Sequence, residues 1–342
     1  MKGLKSISLV ICVIFLAASL AACSPSGTGD NKENEVKVWK FAHIRPAGSV
    51  SDLDFQAFAK DVENRSNGSL KLEIYPASQL GDYTVVQERV SIGDIHMQVA
   101  PVGTNLDKSF GITSAPYLVE NWNQARKVYA SDSKLNTAMA EILDKNGMKL
   151  IAVYPLYFGG IALVKEPKEP GNADVPKNIK IRVPPIKSFE KTAEALGYIA
   201  TPLPFAETFT AMQTGIVEGA IGAGAEGYYS NFKDLVKWYL PLNDHFEMWY
   251  MYVNKEEFNK LSPEQQKALL DAAKAMEEKR FRDAEQQEKE FEGKLAAEGI
   301  KIVEFTDAEL AAFAKKTREQ VWPLVKGDYG EKLFESIVKE IQ

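Results

Sequence analysis

Apolar and polar positions along the chain alternate between two periods, one of about two residues and one of about 3.6. Val36–Ile44 reads as a strand and Val50–Asn64 as an amphipathic helix. LKLEIYP, Leu70–Pro76, alternates cleanly, with Leu70, Leu72 and Ile74 on one face, as a half-buried strand does. A helix over Tyr83–Ser91, a strand over Ile95–Ala100, a helical stretch over Trp122–Asn146 and a strand over Leu150–Tyr154 follow. Strands at Ile161–Val164, Ile179–Val183 and Val217–Ile221 and helices at Ser188–Leu196 and Glu207–Thr214 continue the alternation. Such an order predicts an α/β architecture with largely parallel sheets. Ser262-Pro263-Glu264-Gln265 is a capping box with proline at the first helical position, and helix formers run from it to about Glu298. The pattern fits one helix of about 50 Å bracing two domains, or two helices in sequence.

The N-terminus departs from this pattern. Lys2 and Lys5 precede the uncharged run SISLVICVIFLAASLAA, which has the length of a secretory leader. The run ends in LAAC, Leu20–Cys23, the lipobox arrangement in which the cysteine is acylated and becomes the new N-terminus. This predicts a signal peptide over 1–22 and a flexible tether over 23–35, where SPSGTGDNKENE lacks apolar periodicity. The expected product is an exported lipoprotein, anchored to a membrane and facing the periplasm or the cell exterior. The only other cysteine, Cys12, lies in the leader, so the expected mature chain has no disulfide and no CxxC motif.

Charge narrows the function further. The whole chain carries a formal −6, and the first 22 residues hold two lysines and no acids, which leaves 39 basic against 47 acidic residues, or −8. That balance argues against nucleic acid as a partner. Gly222-Ala-Gly224-Ala-Glu-Gly227 spells a dinucleotide fingerprint but sits deep in the chain, where a glycine-rich crossover explains it better. His43, His96 and His245 are far apart and form no metal motif, and no GxSxG elbow occurs. No catalytic residue, metal or cofactor is nominated, and the expectation is a protein that is not an enzyme. Arg182 is more telling: in NIKIRVPP it stands at the carboxyl end of a strand, where open α/β sheets place ligands and where a guanidinium can clamp a carboxylate.

Five segments in order carry a resemblance: FAKDVENRSNGSLKLEIYPASQLGD, ERVSIGDIHMQVAP, KIRVPP, PLPFAETFTAMQTGIVEGA and VNKEEFNKLSPEQQKALLDAA. Over nearly the whole mature chain they resemble the solute-binding subunits of tripartite ATP-independent periplasmic (TRAP) transporters, the DctP-like family. The resemblance implies a periplasmic-binding-protein-like fold, with two α/β domains around a ligand cleft and a long helix spanning both. The expected limits are 36–155 together with about 250–342 for the first domain, and 156–249 for the second. It also implies a small organic-acid ligand, delivery to membrane permease subunits, and Arg182 as the carboxylate clamp beside Pro184. Phe205 is expected at the helix side of the pocket, and Ala100, Pro101 and Thr104 at the edge of the first domain, with His43 also at the site.

Two departures from the family pattern shape the expected ligand. YFGGIALVKEP lacks the second arginine that many members carry there, and Gly222 stands where many have asparagine. Glu226 is then a candidate acceptor for an ammonium, and Trp249 or Phe246, from HFEMWYMY, a stacking face. These point to a monocarboxylate with an apolar or aromatic body, or an amino acid, ahead of a C4-dicarboxylate or sugar acid. A sensor feeding a signalling receptor shares the same fold, and an exported hydrolase is the remaining alternative.

Overall fold

The computed structural model describes residues 36–341, so the leader, Cys23 and the stretch 23–35 lie outside the described residues. Strand β1, Lys37–His43, pairs in parallel with β2, Leu70–Tyr75, and with β3, Met97–Ala100. Helix α1, Val50–Arg65, connects β1 to β2 and α2, Tyr83–Ser91, connects β2 to β3. Each helix starts at the cap its sequence supplies: Ser49 accepts the Asp52 N–H and Asp82 accepts the Thr84 N–H. Helices α3, Trp122–Val128, and α4, Lys134–Lys145, replace the single helical stretch expected over Trp122–Asn146. The break has a local cause: Ser133 caps α4, and Asn136 Nδ2 donates to the carbonyls of Tyr129 and Ala130.

Strand β4, Met148–Phe158, ends this half of the chain and runs through Gly159 into β5, Gly160–Leu163, of a second sheet. There β6, Lys180–Val183, α5, Lys187–Ala195, β7, Ile199–Pro202, α6, Thr208–Gln213, β8, Gly219–Ala223, α7, Ala225–Phe232, and β9, Trp238–Leu240, follow in turn. The chain then returns to the first sheet as β10, Phe246–Asn254. The orders are β2-β1-β3-β10-β4 and β11-β9-β5-β8-β6-β7, the last strand of the chain being β11, Lys301–Ile302. Both sheets are mixed, which corrects the expectation of largely parallel pairing: β10 is antiparallel to β3 and β4, and β5 is antiparallel to β8 and β9. A strand that crosses between sheets enters the next one against the direction of its neighbours, and four of these strands flank the two crossings.

After the short helix α8, Lys255–Asn259, the capping box at Ser262 and Gln265 opens α9, Pro263–Ala297, one continuous 35-residue helix. Leu269, Ala272, Ala273 and Met276 join the core that holds Trp39, Phe41 and Trp249, while Phe291 and Leu295 join the core around Tyr228 and Tyr239. The charged middle has its own task. β4 is an edge strand, and α9 satisfies its open backbone groups with side chains: Glu277 accepts the Val153 N–H at 2.7 Å, Arg280 Nε donates to the Pro155 carbonyl at 2.9 Å, and Glu288 accepts the Phe158 N–H at 2.6 Å. Burial lifts the Glu288 carboxyl to about 7. Helices α10, Asp307–Tyr329, and α11, Glu331–Ile341, close the described chain, α10 packing on α5 and α11 on α3 and α4. No described helix is long and apolar enough to cross a membrane.

The two crossings touch. The Gly159 N–H donates to the His245 carbonyl at 2.8 Å, and a Cβ on Gly159 would overlap the His245 ring. Glycine is therefore required there by close approach. Gly159→Ala should lower stability by roughly 1–3 kcal/mol through overpacking, as measured by urea unfolding; a variant as stable as the parent would show that the two crossings can separate freely.

Candidate functional site

The carboxyl ends of β1, β3, β6 and β8, with the start of β10, surround a cavity of about 30 Å³. One water needs at least about 10–15 Å³, so the cavity has room for only a few water-sized groups. From the first sheet come Arg45, Pro101 and Tyr157, together with Tyr83 at the start of α2; from the second come Arg182, Pro184, Phe205 and Gly222. Phe246, Glu247 and Met248 line the side where the chain crosses back.

Arg182 lies on β6, the strand expected from the alternation of Ile181 and Val183, and is 2% exposed. Its Nε donates to the Leu203 carbonyl at 3.0 Å and its guanidinium carbon stands 5.6 Å from the centre of the Phe205 ring. A contact of 3.5 Å reaches the Ile221 carbonyl. Among the described residues no carboxylate comes within ion-pair distance of it. Burial presses its pKa below the ordinary arginine range, but a guanidinium stays charged under such pressure. Gly222, at φ +93°, lets β8 lie close against Pro184: a Cβ there would meet the proline ring at 2.6 Å.

A second arginine faces the same space. Arg45 is 1% exposed; its Nε donates to Glu226 at 2.8 Å and a terminal nitrogen donates to the Tyr157 hydroxyl at 2.6 Å. Its guanidinium lies 4.6 Å from the Trp249 ring centre. Burial opposes its charge, but Glu226, Tyr157 and Glu247 together outweigh that and lift its pKa. Sequence reasoning did not single out Arg45, although HIRP places it just past the end of a buried strand, the same signal that marked Arg182.

Glu247 was missed as well. Its carboxylate accepts the Trp249 Nε1–H at 2.5 Å and meets His245 Nε2 at 3.1 Å, while Asp244 holds His245 Nδ1 at 2.7 Å. Burial opposes the imidazolium, yet these two carboxylates prevail and push His245 up to about 10. Phe189, at the cavity wall, sets its ring edgewise on the imidazole at 4.8 Å.

The structure brings Arg182, Pro184, Phe205, Pro101, Gly222 and Phe246 together at the cavity. Ala100 is buried one position away, paired with Tyr250 in the sheet. Glu226 and Trp249 lie behind Arg45, and the two oxygens of Glu226 accept from Arg45 and Ser230. Thr104 lines a different depression, beside Lys108 and Gly111. His43 faces α1, bonded to Asp52 at 3.0 Å and packed on Phe55, with burial lowering it to about 4.

The chain is similar to known proteins. The profile of DctP, bacterial extracellular solute-binding protein family 7, matches residues 41–326. The chain is 24% identical to the C4-dicarboxylate-binding protein DctB of Bacillus subtilis, over 97% of this chain and 98% of that one. A TRAP periplasmic solute-binding protein from Desulfovibrio salexigens with bound orotic acid superposes with a TM-score of 0.79 at 22% identity, covering 89% of this chain and 99% of that one. The sugar acid binding protein of Advenella mimigardefordensis, in complex with galactonate, gives 0.81 at 21% identity, covering 90% and 98%.

The His245 cluster sets a pH dependence. A folded pKa of about 10 against an ordinary 6.5 stabilises the fold fully below about pH 6.5, and the contribution is lost as pH rises through about 10. Urea midpoints measured from pH 6 to 10 should fall, and in His245→Gln the fall should be shallower. An unchanged slope in the variant would remove His245 as its source.

Proposed function

Because this chain belongs to the DctP family of bacterial extracellular solute-binding proteins, we propose that it is the receptor of a TRAP transporter, capturing a small organic carboxylate and handing it to membrane permease subunits. One observation carries the reading: Arg182 is a buried guanidinium at the mouth of β6, bonded to the Leu203 carbonyl and facing a cavity, with no carboxylate of the described chain beside it. A ligand carboxylate is the natural complement, able to take two parallel N–H donors. Phe205, Phe246, Phe189 and Met248 favour an apolar or aromatic body behind that carboxylate. Relatives bind small organic carboxylates of several kinds, among them orotic acid, galactonate and succinate.

Closure belongs to the same proposal. Two domains, 36–155 with 250–342 and 156–249, hinge about the crossings at Gly159 and 241–245 and shut on the solute, expelling water and strengthening the ion pair. The permease and its ion gradient then supply the transport step.

A thermal-shift screen of organic acids should yield stabilising ligands, with about 2.7 kcal/mol gained at a hundredfold excess over Kd. Arg182→Ala should weaken the best of them by about 2–5 kcal/mol in calorimetry while the variant stays folded. Unchanged affinity in that variant would sink the assignment.

Cys23 and the LAAC string support a lipid anchor that keeps the receptor near its permease. Labelled palmitate should enter the protein in cells and vanish from Cys23→Ala, which should leave the membrane fraction. Equal labelling of both would refute acylation at this residue.

A further inference from the structure

Arg45 and Arg182 both face the cavity, and both guanidinium carbons lie within about 6 Å of the Phe205 ring centre. Two cations so placed would suit a dicarboxylate. They are not equivalent, however. Arg45 sits beyond β1 of the first sheet, and Glu226 opens α7 behind β8 of the second, so the 2.8 Å pair joins one wall of the cavity to the other. Ser230 holds the second oxygen of Glu226 at 3.0 Å, and Tyr157 and Trp249 fix the guanidinium from the first sheet.

We propose that Glu226 is the specificity-determining residue of this site: an internal carboxylate that occupies Arg45 and so limits the receptor to solutes with one carboxylate. The inference rests on carboxylate capture at Arg182. A second ligand carboxylate would have to share Arg45 with Glu226, placing two anions on one buried cation, or displace Glu226 and leave that side chain buried as an unpaired anion. It would also come close to Glu247, which lines the cavity and shares His245 with Asp244. Discrimination therefore comes from repulsion built into the wall as much as from attraction to Arg182. The missing second arginine in YFGGIALVKEP is thus not the whole account, since a second arginine is present and already paired.

The test uses acids matched in their carbon skeletons: butyrate with succinate, hexanoate with adipate, 4-methylbenzoate with terephthalate. In the unaltered protein each monoacid that binds should do so at least tenfold more tightly than its diacid partner. Glu226→Gln keeps an acceptor for Arg45 but removes the charge, and should improve diacid affinity relative to monoacid by tenfold or more. Adding Arg45→Gln to that variant should abolish the gain. A parent protein that prefers diacids overturns the proposal, as does an unchanged ratio in a folded Glu226→Gln variant. Should that variant fail to fold, the matched pairs on the parent protein still decide the matter. A parent protein that binds neither acid of any pair, nor any other carboxylate, overturns the carboxylate-capture reading itself and this inference with it.

Discussion

The contact between Gly159 and His245 governs how the rest of this chain is arranged. The peptide passes from the first sheet to the second at Gly159 and returns between Leu240 and Phe246, and one N–H···O bond ties the two passages together. Because the glycine has no side chain, the imidazole of His245 can lie against the backbone of the other crossing. Asp244 and Glu247 then hold that imidazole as a cation, and Glu247 continues to the cavity wall. A single polar cluster thus reaches from the linkage between the sheets to the surface a solute would touch.

The long helix is the second half of this arrangement. An isolated helix with the composition of the middle of α9 would gain little from burial, since its mid-section is rich in charge. Here the charges serve as backbone partners: Glu277, Arg280 and Glu288 replace the missing neighbour of edge strand β4. The same helix sends Leu269 into one core and Leu295 into another, so it holds both sheets while leaving their facing strand ends clear.

The sequence makes much of this legible where one physical signal dominates. The alternation of Leu70, Leu72 and Ile74 marks β2, and the Ser262–Gln265 box marks the start of α9 to the residue. Arg182 could be read because a cation interrupts an apolar strand just before two prolines. Strand β10 could not be read in the same way: all nine residues are buried, so period-two alternation vanishes and an aromatic string remains. Arg45 and Glu226 stand 181 positions apart, and no local spacing relates them. Trp249 looked like a stacking face for a ligand, whereas its ring takes the guanidinium of Arg45.

Three buried cations near the cavity can be ranked by what accompanies them. His245 has two carboxylates, Arg45 has one, and Arg182 has carbonyl oxygens. Carbonyl dipoles stabilise a buried guanidinium less than a full counter-charge does, so the desolvation cost of Arg182 is the least compensated of the three. Among these three, the strongest unsatisfied electrostatic demand therefore lies at Arg182, facing the cavity, while the neighbouring two are neutralised from within. An anion entering the cleft meets one site where its charge is wanted and two where an equivalent charge already sits. On the proposed reading, that asymmetry, rather than the number of positive residues at the wall, would give the pocket its preference.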